Sequence, residues 1–344
     1  MKIIENLATI KEMNKKASNI FLVAHRNMDL DAINSCIAFN YYLKESNKKI
    51  YIIVDDIKHE TAVKMVLDEF NDVINFIKSK DLKDLVDNNS LLYVLDTNKE
   101  KLIQNPKILD KFNNIIVIDH HRTNKESIKK ALMIVDEEAS STCEIISSIF
   151  DYEQIEITKK IANLLLGGIV LDTNYYQLNV SEGTFYYSHY LVKNGASMKV
   201  VNEYLKQNIY KYINRQKIIS SVKTKKNIAY AKGRKNIIYD KVEFAKTADI
   251  LLTFKNIELA IVYGKTDKNK IGISCRSNGK VNAGKIMEKF GGGGSEFEAA
   301  AEVIDLSLDE ITKLINKVIN DIKRWFNEGH ISKECKRARK KRRH

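Results

Sequence analysis

The feature that most constrains the fold is a repeated pattern of apolar, β-branched runs that end on Asp or His and alternate with helical patterns. The runs are 19–25, 48–56, 90–96, 114–121 and 164–172. The first four are typical of strands buried on both faces, and their alternation with helices predicts an α/β fold with an open, mainly parallel sheet. The last run, LLLGGIVLD, fits either a strand or a helix end, because periodicity does not separate the two in a short apolar run.

A second, smaller domain of mixed α/β type is predicted downstream. At 344 residues the chain exceeds the usual size of a single domain. Residues 183–223 have a helical pattern, and the runs KNIAYAKG, IELAIVYGK and KIGISCRS alternate like antiparallel strands. A helix, the loop GGGGS and a closing helix near 308–326 follow. We expect a catalytic domain at 1–190, a helical connector at 191–225, a second domain at 226–330 and a basic tail at 331–344.

Composition and charge favour a globular, cytoplasmic protein. Hydrophobic residues make up 44% and charged residues 29% of the chain. The net charge is +13, of which +7 comes from 333–344, with eight Lys or Arg and one Glu. Such a tail is usually solvated, although contact with nucleic acid or an anionic membrane is the alternative. No secretory signal or transmembrane segment is expected, and the four cysteines lack CxxC spacing, which favours free thiols in a reducing cytoplasm.

Ionisable side chains cluster at the ends of the apolar runs. They are His25, Asp29, Asp31, Asp96, Asp119, His120, His121 and Asp172. A single Asp after a strand is more often a helix cap, but the carboxyl ends of parallel strands meet at one edge of a sheet. Three of the seven histidines follow two of these runs. Several carboxylates at one edge repel each other unless a cation neutralises them, so the pattern predicts a metal centre.

The residue types indicate which metal binds and what it does. Carboxylates with imidazoles and no thiolate favour Mn²⁺, with Fe²⁺ or Co²⁺ possible, over a structural zinc. There are enough ligands for two ions that share a carboxylate. Two ions about 4 Å apart can clamp the attacking and leaving oxygens of a phosphoryl displacement. Phosphoester hydrolysis is therefore the expected reaction.

Four motifs, HRNMDLDAI, VLDTN, VIDHHR and GIVLDTN, resemble in order and spacing those of the DHH phosphoesterases. The stretch ISCRSNGKVNAGKIMEKFGGGGS resembles the Arg-Ser strand and Gly-rich loop of their DHH-associated C-terminal domain. The resemblance covers roughly 19–325. Within the family, the stretches DHHRTN, ASSTCEII, DTNYYQL and YLVKNGAS resemble the catalytic module of GdpP-type cyclic-di-AMP phosphodiesterases. Those proteins usually carry N-terminal membrane, PAS-like and cyclase-like segments, so the chain resembles the catalytic module alone.

The resemblance implies a role for each candidate residue. His25, Asp29 and Asp96 would hold one Mn²⁺, and Asp31, Asp96, His120 and Asp172 would hold the second. Asp119 would orient His120, and His121 would face the substrate phosphate. The implied substrate contacts are Arg276, Ser277, Gly292, Gly293, Gly294 and Ser295, with the active site in the cleft between the domains and a homodimer as the assembly.

One departure from the family pattern concerns Ser295, which stands where the family has His after the glycines. Serine brings no positive charge to a phosphate, and the loss of one charge-assisted hydrogen bond costs about 1.5–3 kcal/mol. The expected activity is Mn²⁺-dependent hydrolysis of cyclic-di-AMP to linear pApA. The alternatives are an oligoribonuclease or pAp phosphatase of the same family, a non-catalytic nucleotide- or RNA-binding regulator, and a single-strand exonuclease.

Overall fold

The structure is a computed structural model that describes residues 1–55, 59–206 and 208–327. The predicted basic tail, 331–344, lies outside the described residues. The chain divides after Lys206 into two compact units. No helix in the described part of the chain has the length and apolar character needed to cross a membrane.

The first unit is built on a six-stranded sheet in which every pair of neighbours is parallel. Its spatial order is β3-β2-β1-β4-β5-β6. The strands are β1 Asn19–Val23, β2 Lys49–Ile53, β3 Phe76–Ile77, β4 Leu91–Leu95, β5 Asn114–Asp119 and β6 Leu132–Val135. The four buried strands expected from the apolar runs are confirmed as β1, β2, β4 and β5.

Helices surround this sheet. They are α1 Lys2–Glu5, α2 Leu7–Lys16, α3 Leu30–Leu43, α4 Thr61–Phe70, α5 Thr142–Tyr152, α6 Lys159–Asp172, α7 Glu182–Lys193 and α8 Met198–Tyr204, with short 3₁₀ helices at Lys44–Ser46, Ser79–Asp84, Glu100–Leu102 and Pro106–Lys111. Ile20 and Leu22 of β1 pack into one core cluster with α3, α5 and α6. Phe21 and Val23 point to the opposite face and into a second cluster. Both faces are covered, which is why the strands read as continuous apolar runs.

The ambiguous run 164–172 lies in helix α6, whose last residue is Asp172. Thr158 caps the helix by accepting the Ile161 N–H at 3.3 Å. The preceding residues KKIAN extend the run into a 14-residue helix. Asp172 therefore reaches the metal-ligand cluster from a helix end instead of a strand end.

The second unit contains a mixed sheet with spatial order β11-β12-β10-β9-β8-β7. Its strands are β7 Lys223–Lys225, β8 Ile228–Lys232, β9 Leu259–Asp267, β10 Lys270–Ser277, β11 Gly293–Gly294 and β12 Glu298–Ile304. The other helices are α9 Ile209–Ile219, α10 Lys241–Leu252, α11 Ala283–Glu288 and α12 Leu308–Asn327. The expected antiparallel pairing is correct for β9 and β10 but wrong for β8 and β9, which are parallel. The reason is α10, since a helix between two strands returns the chain for parallel pairing.

The division between the units falls inside the segment expected to be a connector. Helices α7 and α8 contact α6 of the first unit, whereas α9 contacts α10 of the second. A buried ion pair joins α9 to α10, since the Arg215 Nη2 lies 2.7 Å from Glu243 Oε2. The predicted helical segment is thus divided between the two units.

Candidate metal centre

The first ligand segment connects β1 to α3. Asp29 is the N-cap of α3 and accepts the Ala32 N–H at 3.0 Å. Asp31 lies in the first turn of the helix and is fully buried. His25 follows the strand, and its Nε2 lies 3.9 Å from Asp29 Oδ1. Capping and ligation are therefore compatible, because a carboxylate that accepts one N–H keeps further lone pairs.

Asp96, directly after β4, lies at the centre of the cluster. Its side chain is 2% exposed. Its φ is +59°, a left-handed conformation that few residues other than Gly adopt without local support. Its backbone N–H donates to the Ile118 carbonyl of the neighbouring strand at 3.0 Å. Such a backbone, held by a sheet contact, is typical of a functional position.

The third segment follows β5. The Asp119 Oδ1 accepts the N–H groups of His120 at 2.9 Å and His121 at 3.2 Å. It also lies 2.7 Å from Nδ1 of His121. Asp119 therefore orients the ring of His121 and not, as the resemblance implied, the ring of His120. Asp119 contacts the ring of His121 because a carboxylate at the end of a strand is within reach of the ring two residues later.

In the described part of the chain, three groups of potential ligand atoms share Asp96, one of them with Asp119, His120 and His121. The other two match the ligand sets that the resemblance implies. One contains His25, Asp29 and Asp96, the other Asp31, Asp96, His120 and Asp172, and within each group these atoms lie within 4.8 Å of one another. The two oxygens of Asp96 face different groups. Its Oδ2 is 3.3 Å from His25 Nε2, and its Oδ1 is 3.5 Å from His120 Nε2. This is the arrangement expected of a carboxylate that bridges two cations.

An unsatisfied atom and the donor chemistry fit a metal at this position. The His120 Nε2 is buried without a hydrogen-bond partner, although Asp172 Oδ2 lies 3.2 Å away. A buried imidazole nitrogen is normally satisfied, and a cation between it and the carboxylates would satisfy both. Oxygen and imidazole donors without a thiolate match Mn²⁺ and its neighbours.

The pKa values of these groups show how strongly burial and the neighbouring carboxylates disfavour the charged form of each acid. Burial raises the pKa of Asp31 well above its usual range, and burial raises the pKa of Asp29 to about 7, with the charges of Asp96 and Asp172 adding to both. Burial opposes a charge on His25, but the hydrogen bond and charge of Asp96 outweigh it and raise its pKa to about 9. Bound divalent cations would replace these protons and neutralise the carboxylates.

Two residues outside the predicted site, Asn98 and Thr142, support the cluster. The Asn98 Nδ2, in a fully buried residue, donates to Asp119 Oδ2 at 2.6 Å and to the His121 carbonyl at 2.8 Å. The Thr142 hydroxyl donates to Asp96 Oδ1 at 3.1 Å. Both lie in stretches used for the family resemblance, VLDTN and ASSTCEII, but nothing in the sequence shows which side chains they contact.

A cationic pocket of about 610 Å³ lies beside the ligand segments. Its lining is Arg26, Lys99, Lys101, Leu102, Pro106 and Glu126. Arg26 directly follows His25, and its N–H donates to the Leu102 carbonyl at 2.7 Å, which brings the two lining segments together. Three cations against one carboxylate favour an anionic ligand.

The expected substrate contacts lie in the second unit. The Arg276 Nε donates to Asp249 Oδ1 at 2.7 Å, and its Nη2 lies 3.5 Å from Glu298 Oε2. The Ser277 hydroxyl accepts the Gly279 N–H at 3.1 Å. Arg276 is thus already paired with carboxylates, and a phosphate would have to share it with them.

The Gly-rich loop is ordered by β-pairing. Gly293 and Gly294 form strand β11, which pairs with β12. At Gly292 a Cβ would overlap the backbone of β12, so this close approach requires glycine. The Ser295 hydroxyl accepts the Phe297 and Glu298 N–H groups at 3.2 and 3.0 Å. Ser295 therefore stabilises the turn into β12.

Comparison with known proteins gives the family. The model of the DHH family N-terminal domain matches residues 19–169, and that of the DHHA1 domain matches 225–321. The fold and the cluster define an α/β protein with a candidate metal centre. More specifically, the chain belongs to the DHH phosphoesterase family, with a DHH domain followed by a DHHA1 domain.

The relatives include enzymes with names of two kinds. The chain is 31% identical over 328 residues to cyclic-di-AMP phosphodiesterase GdpP of Geobacillus thermodenitrificans, covering 93% of this chain and 49% of the relative. It is 26% identical over 241 residues to the bifunctional oligoribonuclease and PAP phosphatase NrnA of Mycoplasma genitalium, covering 67% and 73%. The chain spans about half the length of the GdpP-type relatives that it matches.

Among solved structures, an exopolyphosphatase-related protein from Bacteroides fragilis has a TM-score of 0.80 at 19% identity. The match covers 94% of this chain and 98% of that one. At this identity the likeness concerns the fold alone, and it confirms the predicted α/β class.

Proposed function

We propose that the chain is a Mn²⁺-dependent phosphodiesterase that hydrolyses cyclic-di-AMP to linear pApA. The observation that carries this proposal is the pair of ligand groups that share Asp96. Dinuclear centres of oxygen and imidazole donors are suited to phosphoryl displacement. The GdpP relative, which matches 93% of this chain, supports the cyclic substrate.

Each side chain of the cluster has a proposed task. His25, Asp29 and Asp96 would hold one ion, and Asp31, Asp96, His120 and Asp172 would hold the other. When bound, the ions would supply Lewis acidity and lower the pKa of water to near neutral. The buried carboxylates fix the ligand geometry before substrate arrives, and the cationic pocket at Arg26 and Lys99 attracts the phosphates.

His121 is the proposed proton donor. Its Nδ1 faces Asp119, which leaves Nε2 to donate a proton to the departing ribose oxygen. Burial opposes a charge on the ring, but the hydrogen bond of Asp119 outweighs it and raises the pKa of His121. The imidazolium form is thereby favoured, and a positioned acid contributes typically 10²–10⁴-fold to rate. The side chain is 53% exposed, so a substrate can reach it.

In the second unit, Arg276, Ser277, the glycines and Ser295 remain the proposed substrate contacts, and the cleft between the domains stays a prediction. A guanidinium held by Asp249 is pre-oriented but partly neutralised. This site would bind phosphate more weakly than one with a free Arg. The absence of a His at position 295 would weaken phosphate binding further.

Chromatography of reaction products tests the proposal. Cyclic-di-AMP, pApA and pAp are each incubated with the protein and Mn²⁺, and with EDTA as the metal-free control. We expect pApA to accumulate from cyclic-di-AMP only with Mn²⁺. An Asp96→Asn variant should be inactive, since it weakens both ligand groups, and equal activity in this variant would refute the catalytic role.

The second candidate is an oligoribonuclease or pAp phosphatase, which is favoured by the NrnA relative that matches 67% of this chain. Faster turnover of pApA or pAp than of cyclic-di-AMP in the same assay would select this candidate. Turnover of none of the three, with Mn²⁺ bound, would favour the non-catalytic regulator.

Homodimer formation, a cytoplasmic location and contact of the basic tail with nucleic acid stay predictions from the sequence. Light scattering of the purified chain tests the first. Truncation of 331–344, followed by RNA binding at several salt concentrations, tests the last.

A further inference from the structure

The N-terminus of α5 contacts two carboxylates of the cluster. The Thr142 and Cys143 N–H groups donate to Oδ2 and Oδ1 of Asp31 at 2.7 and 2.9 Å. The third N–H of the helix, from Glu144, is accepted by the N-cap Ser141 Oγ at 3.1 Å. A helix N-terminus carries a partial positive charge, so this position favours the Asp31 carboxylate. Its orientation is fixed because both of its oxygens are engaged.

The side chain of Thr142 contacts the shared carboxylate. Its hydroxyl, in a residue with no exposed surface, donates to Asp96 Oδ1, the oxygen that faces His120. The two residues are 46 positions apart in the chain. Without this donor, Asp96 Oδ1 would still have His120 and His121 as neighbours. The Asp96 side chain would lose the fixed hydroxyl that holds its rotamer.

The start of α5 is itself held by Glu144. This carboxylate, 1% exposed, accepts from the Ser140 N–H at 3.0 Å and from the Thr184 hydroxyl at 2.9 Å. It thereby joins the loop before α5 to the first turn of α7. The helix end is consequently a rigid part of the fold, and a residue can position a metal ligand only from such a rigid element.

We propose that Thr142 is a positioning residue of the metal centre: its hydroxyl holds the bridging carboxylate of Asp96 while the adjoining backbone N–H groups hold Asp31. The inference rests on the metal centre of the proposed function. It adds that one helix end sets the geometry of two ligands, one of them common to both ligand groups. Hydrogen bonds of this kind to ligands typically contribute 10–100-fold in metal affinity or activity.

The test is a Mn²⁺ titration of the full chain followed by EPR, with three variants. Thr142→Val removes the hydroxyl at nearly constant volume, Thr142→Ser keeps it, and Ser148→Ala removes a buried hydroxyl of the same helix that donates to the Ile145 carbonyl. We expect Thr142→Val to weaken Mn²⁺ binding by 10–100-fold. Thr142→Ser and Ser148→Ala should bind as the wild type does, and the EPR line shape of bound Mn²⁺ should change in Thr142→Val alone.

The inference is overturned if folded Thr142→Val binds Mn²⁺ as tightly as the wild type does. It is also overturned if Thr142→Ser and Thr142→Val lose Mn²⁺ affinity equally. Either outcome leaves the proposed function intact. If Thr142→Val does not fold, Thr142→Ala removes the same hydroxyl without an added methyl group in contact with Asp96, and the same two outcomes decide. A wild-type chain that binds no Mn²⁺ overturns the metal centre and this inference together.

Discussion

Gly168 of α6 allows the helix to approach the ligand cluster, and replacing it with Ala is predicted to damage both stability and metal binding. A Cβ at this position would lie 2.6 Å from Asp31 Oδ1 and 2.8 Å from Cys143 Cβ, and would overlap the Cys143 sulfur. Ordinary contacts between such atoms are about 3.5–4.0 Å. The neighbours have little room to move, because both residues are fully buried. Their backbones, moreover, belong to two other helices.

The magnitude follows from two opposing terms. An alanine in a helix interior gains about 1 kcal/mol over glycine. Overpacking of a tight core costs typically about 1–3 kcal/mol, occasionally more, and here three contacts are shortened at once. The neighbouring Gly167 is the matched control, because its Cβ would meet only Asn34 Nδ2, at 3.3 Å. We expect Gly167→Ala to gain up to about 1 kcal/mol and Gly168→Ala to be less stable than that control by about 1–3 kcal/mol, because the gain in helix propensity is common to both variants.

Urea unfolding in EDTA, followed by far-UV circular dichroism, measures the difference as a shift in midpoint at constant slope. A Mn²⁺ titration should show weaker binding for Gly168→Ala, since the new methyl group presses on Asp31. Cys143→Ala should cost less in the Gly168→Ala background than alone, because it removes one of the overlapping atoms. Equal midpoints for the two glycine variants would refute this account of the packing around Asp31.

Three further predictions concern pH, catalysis and substrate binding. Asp29 and His25 have pKa values raised to about 7 and about 9, so between about pH 4 and 9 the folded state binds more protons than the unfolded state. The metal-free chain should therefore lose stability as pH rises, and the gain in Tm on adding Mn²⁺ should grow between pH 5 and 8 in thermal scans; a gain that shrinks would contradict this. His121→Gln should lower kcat by about 10²–10⁴-fold with Mn²⁺ affinity nearly unchanged, whereas an equal loss of both would make His121 a ligand. Ser295→His should raise kcat/KM about ten-fold by adding a charge near the phosphate, and an unchanged KM and kcat would remove position 295 from the substrate site.

The sheet and the ligand cluster could be predicted from the sequence because both follow from one rule of topology. Parallel strands with covered faces read as continuous apolar runs, and their carboxyl ends lie at one edge. His25, Asp96 and His120 follow β1, β4 and β5, which are neighbours in the spatial order of the sheet, so the topology brings them together.

Two features of the site depend on side-chain geometry that the sequence does not show, whereas the wrong strand pairing in the second sheet came from a helix that was not identified. Asp119 contacts the ring of His121 instead of His120, a choice set by side-chain rotamers. The role of Thr142 depends on the packing of α5 against Asp96, 46 residues earlier in the chain. The pattern of α10 was available, since Asp240 caps it and Phe244, Ala248 and Leu251 are buried at helical spacing. Identifying this helix would have predicted the parallel pairing of β8 and β9.

The central claim is that two divalent cations share Asp96. Anomalous scattering from crystals soaked in Mn²⁺ tests it most directly, because it locates each ion independently of activity. We predict two peaks about 4 Å apart, one beside His25 and Asp29 and the other beside Asp31, His120 and Asp172, with Asp96 between them. A map without a peak among these residues, or with one peak that Asp96 does not touch, would contradict the claim.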